Sequence, residues 1–274
     1  KIFLFKRIMT NRKGIILAGG KGTRFFPVTC GVSKHFLPIY DKPMIFYSLS
    51  ILMMTNIREI LIITTVKDKK SFENLLGDGS RFGVKIEYKT QDSPDGIAQA
   101  LILAEDFLQK SPCVLILGDN FFYGDGLQKK LLKVSKNIDR ATIFGCRVKD
   151  PQRYGVAELD AEGNIFSLIE KPKKYISDYA VTGIYFYDKN ATSYAKQLTP
   201  SPRGELEITD LNNIYLKKNK LFLEKLGRGY AWLDAGTPDS LLEASQFVQT
   251  IEHRQGLRVC CPEEIAFYKN WVSK

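Results

Sequence analysis

An α/β fold with a doubly wound sheet is the class this sequence predicts, and three observations predict it. Short, almost wholly aliphatic runs recur through the first half of the chain, as expected of strands buried on both faces of a parallel layer. The segments between them have helix length and open on Pro or Asp-Gly signals. After residue 150 the texture changes to short hairpin-like pieces, which mark a second lobe attached to the first.

In chain order, the first strand is expected over 14–18 (GIILA), where aliphatic residues follow a single glycine. A helix over 43–55 opens on Pro43, and a strand over 59–65 (EILIITT) follows. Strands over 84–89 (VKIEYK), 113–119 (CVLILGD) and 141–148 (ATIFGCRV) continue the layer, with a helix over 96–107 after the Asp95-Gly96 turn. A hairpin is expected from 154–159 and 165–170, joined by the turn formers Asp160 to Asn164. A strand over 180–187 and helices over 208–218 and 239–254 complete the pattern, and a further apolar run ends at Trp232-Leu233-Asp234. With no internal repeat, low-complexity tract or long linker, residues 13–274 read as one domain with halves at about 13–150 and 151–274. Residues 1–12 read as a non-core extension, with Met9 the expected native start.

At 274 residues and 44% hydrophobic content, the chain can bury a sizeable core. No apolar stretch approaches the roughly 20 residues that span a bilayer, and the apolar tetrad after Lys1 is too short for a signal peptide, so no membrane partner is expected. The formal charge of +10 admits nucleic acid or polyphosphates as partners. The lysines are scattered, however, and no nucleic-acid-binding motif accompanies them, so nucleic acid is not expected. Five cysteines without Cys-x-x-Cys spacing, and only two histidines, argue against zinc and against a disulfide framework; a reducing cytoplasm fits.

The most informative stretch follows the first strand: Gly19-Gly20-Lys21-Gly22-Thr23-Arg24. Glycines there let a bulky anion touch the backbone N–H groups, and Lys21 and Arg24 add full charges. Two common phosphate templates fail. The P-loop spacing is wrong after Gly14 and Gly19, and Phe25 stands where a dinucleotide fingerprint needs its third glycine. Asp119 directly follows a central strand, and Asp234 ends an apolar run; two carboxylates so placed suit one Mg²⁺, which takes oxygen ligands from one or two carboxylates plus water and phosphate. Either Asp alone is equally well explained as a turn or cap residue. Lys171, before Pro172, should sit at an exposed strand end as a point charge for a monophosphate, and a buried Gln91 amide could pair with the edge of a base.

These stretches, with Ser33-Lys34, Ser93-Pro94-Asp95-Gly96, Leu117-Gly118-Asp119-Asn120, Glu170-Lys171-Pro172, Ala180 to Gly183, Arg203 to Asp210 and Gly229 to Asp234, resemble the sugar nucleotidyltransferases. The likeness runs in order from residue 13 to about 268 and is greatest to the branch that handles thymidine nucleotides. It implies a Rossmann-like, doubly wound mixed sheet with helices on both faces and an attached sugar-binding lobe. It implies a Mg²⁺-dependent reaction of dTTP with α-D-glucose 1-phosphate that gives dTDP-glucose and pyrophosphate. By motif, Arg24, Lys34 and Lys171 are the implied catalytic cations; Gly19, Gly22, Thr23, His35, Gln91, Gly96 and Asp119 join Arg24 and Lys34 at the nucleotide. Asn120, Gly155, Glu170, Lys171 and Val181 match the sugar-phosphate pocket, and Asp119 with Asp234 the metal ligands. His35 stands where the family reads Gln, and its imidazole would keep one donor while titrating near pH 6.5. The resemblance further implies a homotetramer with feedback at a second nucleotide site, to which Arg228 and Glu264 match. Uridylyl transfer is the neighbouring reading; a silent nucleotide sensor or basic nucleic-acid binder is the remote one.

Overall fold

The computed structural model describes residues 12–273. The strands of its first half are β1 (Lys13–Ala18), the two-residue β2 (Pro38–Ile39) and β3 (Lys42–Pro43), β4 (Glu59–Thr65), β5 (Lys85–Gln91), β6 (Cys113–Leu117), β7 (Asn120–Gly124) and β8 (Ala141–Arg147). Those of the second half are β9 (Gly155–Leu159), β10 (Ile165–Glu170), β11 (Tyr179–Tyr187), β12 (Leu221–Leu226) and β13 (Tyr230–Asp234). The helices are α1 (Ile45–Met54), α2 (Lys69–Leu76), α3 (Gln99–Leu103), α4 (Glu105–Leu108), α5 (Leu127–Ser135), α6 (Ala191–Ala195), α7 (Ile208–Lys217), α8 (Pro238–Gln255) and α9 (Pro262–Tyr268).

Strands β6, β1, β4 and β5 lie side by side and parallel, with Leu17 of β1 facing Leu117 on one side and Ile63 on the other. Successive residues of β1 feed opposite faces. Ile16 belongs to the buried cluster that holds Leu52 of α1, Phe72 of α2 and Leu131 of α5; Ile15 belongs to the cluster that holds Leu101 of α3, Ala195 of α6 and Leu211 of α7. That alternation covers the sheet with helices on both faces, as the aliphatic runs required.

The sheet then turns mixed. β11 runs antiparallel to β6 through Ile184 to Tyr187, and on the same edge its other end meets β9 at Tyr179 and Ala180. Val181, Thr182 and Gly183 lie between those two ladders, which opens a gap in that edge. The opposite edge of β11 carries β8, which in turn pairs with β12. β8 was expected in the parallel layer; it shares the direction of that layer but joins it only through β11. β7 and β13 form a separate antiparallel ribbon in which Asn120 faces Asp234.

Several expectations shift. The helix expected over 96–107 breaks at Ala104 into α3 and α4, and α1 starts at Ile45 because Lys42–Pro43 pairs with β2. Lysine-rich α2 and α5 each bury one apolar stripe, Phe72 and Leu76 in the first and Leu127, Leu131 and Val134 in the second. Arg12, read as the last residue of a non-core extension, is buried at 3% exposure, and its guanidinium donates to the carbonyls of Cys113, Ser135, Asn137 and Tyr187. Residues 1–11 of that extension, Met9 included, lie outside the described residues. No helix among the described residues is long and apolar enough to cross a membrane.

Candidate functional site

Two cavities open beyond the C-terminal ends of the central strands, where open α/β sheets collect ligands. The first, of about 410 Å³, is lined by Gly20, Lys21, Lys34, Lys67 and Gln91 among others. The second, of about 430 Å³, takes Arg24, Asp119, Asn120 and Asp234 from one side and Gly155, Glu170, Lys171 and Val181 from the other. One ion pair links them: Lys34 Nζ, from the wall of the first, donates to Asp119 Oδ2 in the second.

The glycine loop is shaped by close approach. A Cβ on Gly19 would stand 2.5 Å from Gln91 Oε1, so the buried Gln91 amide can press against the loop only because no side chain is there. Gly22, at φ 60°, turns the chain into the short helical turn Thr23–Phe25, and Thr29 Oγ1 donates to its carbonyl at 2.9 Å. Lys21 is thereby left exposed at the first cavity and Arg24 at the second, while Thr23 is exposed but lines neither. Gln91 Nε2 donates to Gln99, whose own amide donates to Asp95 Oδ2 at 2.8 Å, so the Gln91 side chain is held from behind.

Asp119 leaves β6 through Gly118, which packs so tightly on the His35 ring that a Cβ would lie 2.7 Å from His35 Cδ2. Burial pushes the Asp119 carboxyl up, but the charge of Lys34 and hydrogen bonds from Lys34 and Asn120 outweigh it and hold the group well below the usual carboxylate range. Asp234 is the counterpart at the end of β13, and Ala235 N donates to Asp119 O at 2.9 Å, which fixes the two segments together. Its carboxyl is pushed up to about 6, first by burial and next by the charge of Asp119, against the opposing pull of Lys34, Arg24 and Arg153. Arg24 approaches from the loop: a Cβ on Gly236 would stand 3.0 Å from Asp234 Oδ1 and 3.1 Å from Arg24 Nη2.

On the far wall, Glu170 Oε2 accepts from Thr209 Oγ1 at 2.6 Å, and its other oxygen faces Arg203 Nη2 at 3.4 Å. Gly155 is a glycine because a Cβ there would meet that Thr209 hydroxyl at 2.9 Å. Lys171 follows at φ 42°, a backbone region that lysine seldom occupies, and its half-exposed ammonium lies 4.0 Å from Glu170 Oε1. Val181 lines the gap in the edge of β11.

Four expected residues, His35, Gly96, Arg228 and Glu264, sit elsewhere. His35 is turned inward at 1% exposure, with Nδ1 beside Ser33 Oγ at 3.1 Å and its ring tilted on Phe72, and it lines neither cavity. Burial, and then the charge of Lys34, lower its pKa to about 3, so it does not titrate near 6.5 and stays neutral beside Asp119. Gly96, at φ 109°, is wedged against backbone: a Cβ would fall 2.4 Å from Leu206 O, so its requirement for glycine comes from the Leu206 backbone rather than from a ligand. Arg228 is exposed in the turn between β12 and β13 and Glu264 lies in the first turn of α9; neither lines the two cavities.

The sequence reading also missed residues that the cavities include. Lys67 reaches the first cavity from the turn after β4 and donates to Cys30 O at 2.9 Å. Arg153, Tyr154, Thr209 and Trp232 line the second. Trp232 and Thr209 lay inside stretches already singled out, but only the packing shows that their side chains face the site.

The family description Nucleotidyl transferase matches residues 13–251. The chain is 58% identical over 264 residues to the glucose-1-phosphate thymidylyltransferase of Xanthomonas campestris pv. campestris (strain B100), covering 96% of this chain and 90% of that protein. It is 54% identical over 262 residues to the enzyme of the same name from Neisseria gonorrhoeae, covering 96% and 91%. A solved Bacillus anthracis chain, described as a candidate glucose-1-phosphate thymidylyltransferase in complex with sucrose, superposes with a TM-score of 0.80 at 44% identity, covering 86% of this chain and 94% of that one. With a Rossmann-like mixed sheet, helices on both faces and a site at the strand ends, the chain belongs to the nucleotidyl transferase family.

Proposed function

We propose that the chain transfers a thymidylyl group from dTTP to α-D-glucose 1-phosphate, giving dTDP-glucose and pyrophosphate with Mg²⁺ as cofactor, and so opens the assembly of dTDP-deoxysugars such as dTDP-rhamnose. The observation that carries this reading is the link between the cavities. Lys21, Lys34 and Gln91 suit a nucleoside triphosphate in the first, Glu170 and Lys171 suit a sugar phosphate in the second, and the Lys34–Asp119 pair stands where the two would meet. The relatives at 58% and 54% identity carry the name of this activity.

Asp119 and Asp234 suit Mg²⁺ on the chemistry of the pair itself. Both are oxygen donors, no third His, Cys, Asp or Glu completes a metal-binding group among the described residues, and Asp234 carries an electrostatic penalty from Asp119 that a cation between them would relieve. A hard cation that keeps water and phosphate oxygens among its ligands fits such a pair. Bound Mg²⁺ would neutralise charge on the α-phosphate and on the departing pyrophosphate.

The chain's own residues supply the rest. A phosphate oxygen of the sugar phosphate attacks the α-phosphorus while the bond to the bridging oxygen of pyrophosphate breaks, so no side chain need act as nucleophile. Two anions must first be brought together. Lys34 and Arg24 would offset charge on the triphosphate, and Lys171 would offset that of the sugar phosphate. Glu170, which Thr209 and Arg203 hold, would accept hydrogen bonds from sugar hydroxyls.

Pyrophosphate release, measured with each common nucleoside triphosphate against several sugar 1-phosphates, with and without Mg²⁺, tests the reading. Preference for dTTP with glucose 1-phosphate is expected, with UTP weaker by about 10 to 200-fold, the discrimination that one methyl group supports. Equal or better use of UTP would reassign the chain to uridylyl transfer, and no release with any pair would reject the reading.

A further inference from the structure

We infer that Trp232 is a positioning residue: its indole N–H, together with the backbone N–H of Gly183, pins the Asn120 amide, and Asn120 in turn orients the Asp119 carboxylate. This rests on the proposed role of Asp119 as a metal ligand.

The geometry begins with the gap in the edge of β11. Gly183 falls between the ladder to β6 and the ladder to β9, so its N–H has no strand to donate to. Asn120 Oδ1 takes that bond at 2.9 Å and a second from Trp232 Nε1 at 2.7 Å. Two donors converging on one end of an amide require that end to be the oxygen. The other end must then be the NH₂ group, and Nδ2 donates to Asp119 Oδ1 at 3.1 Å. Turned round, the amide would set its own hydrogens against two N–H groups and leave buried donors unpaired.

Asp119 is consequently held at both oxygens, by Asn120 at Oδ1 and by Lys34 at Oδ2. Water competes poorly for these bonds, because Trp232 and Asp119 are each 9% exposed and Asn120 is 3% exposed. The fit extends to Gly183, where a Cβ would stand 2.5 Å from Asn120 Oδ1 and push the amide away. Trp232 also packs on Tyr154, ring centres 4.9 Å apart, so its body shapes the cavity wall while its N–H is spent on Asn120. Partners that orient metal ligands from behind are worth about 10 to 100-fold in metal affinity.

The test uses Mn²⁺ as the probe, bound to the substrate-free full chain and followed by electron paramagnetic resonance. Trp232→Phe keeps an aromatic body and deletes the N–H; Gly183→Ala displaces the amide and leaves Trp232 in place. Both are expected to weaken Mn²⁺ binding about tenfold and to lower kcat by a similar factor, with KM for glucose 1-phosphate moving less than about threefold. In an Asn120→Ala background, Trp232→Phe should cost nothing further, since its effect passes through Asn120. Unchanged Mn²⁺ affinity with only a lower melting temperature would reduce Trp232 to packing and overturn the inference, as would losses that add to those of Asn120→Ala. If the wild-type chain bound no Mn²⁺, both the metal reading and this inference would fall. Mn²⁺ binding without pyrophosphate release would reject the proposed reaction and leave the inference standing on its affinity data.

Discussion

Replacing Asp234 by Asn should make the metal-free protein more stable at pH 8 while abolishing turnover. The Asp234 carboxyl is pushed from 3.8 to about 6, first by burial and next by the charge of Asp119. That is a little over a hundredfold in proton affinity, and at about 1.4 kcal/mol per tenfold the ionised form carries up to about 3 kcal/mol of destabilisation. The folded carboxyl binds its proton more tightly than the unfolded one, so the penalty is present in full above pH 6, fades as pH falls through 6, and is gone below 3.8. Asn keeps the shape and drops the charge. One kcal/mol moves the melting temperature of a chain this size by about 2 to 4 °C, so the variant should melt up to about 6 to 12 °C higher in EDTA at pH 8. The gain should shrink toward zero near pH 4, and Mg²⁺ should raise the melting point of the wild type but not of the variant. Scanning calorimetry at both pH values checks this. A variant that melts lower at pH 8, or a gain that persists undiminished at pH 4, would refute the reasoning.

Other substitutions probe the remaining parts. Arg24→Ala should lower turnover by about 10² to 10³-fold, the usual cost of one charge-stabilising donor, with little change in melting temperature because the side chain is exposed; near-normal turnover would remove Arg24 from catalysis. Gly96→Ala meets backbone at 2.4 Å and a φ of 109°, so it should cost about 2 to 4 kcal/mol and raise KM for dTTP by loosening the turn that holds Gln91; a melting temperature equal to the wild type would show that this close approach is not real. His35, lowered to about 3 by burial and Lys34, opposes protonation of the folded state, so its contribution to stability is intact above pH 6.5 and declines as pH falls from there. Its ring resonances should stay those of a neutral imidazole from pH 8 to 5, and a titration midpoint near 6.5 would contradict the buried placement.

The strands at 59–65 and 165–170 were legible to the residue because continuous aliphatic runs and turn formers are local signals. The glycine loop was legible for the same reason, since glycine and lysine together announce exposed backbone beside positive charge. The apolar stripes of lysine-rich α2 and α5 were not legible, because a stripe on a short amphipathic helix is diluted by its solvated face. β7 and β12 were not foreseen, as their short runs gain strand character only from a partner distant in the chain. His35 looked like a ligand contact by position, yet the turn Lys34–Phe36 sends Lys34 out and His35 in, and nothing in the spacing alone decides which of two neighbours faces the cavity.

What the sequence by itself determined was the class of sheet, the anionic character expected of the ligand and the residue types that would meet it, because periodicity, glycine and charge are properties of short segments. Only the tertiary structure decided that Asp119 and Asp234 share one cavity, that Lys34 neutralises the first and leaves the second strained, and that Trp232 and Gly183 orient the amide between them. Those outcomes depend on distances between segments far apart in the chain. The β7–β13 register and the gap in the edge of β11 set these distances. Electrostatic and hydrogen-bond energies change steeply over the few ångströms that such pairings control.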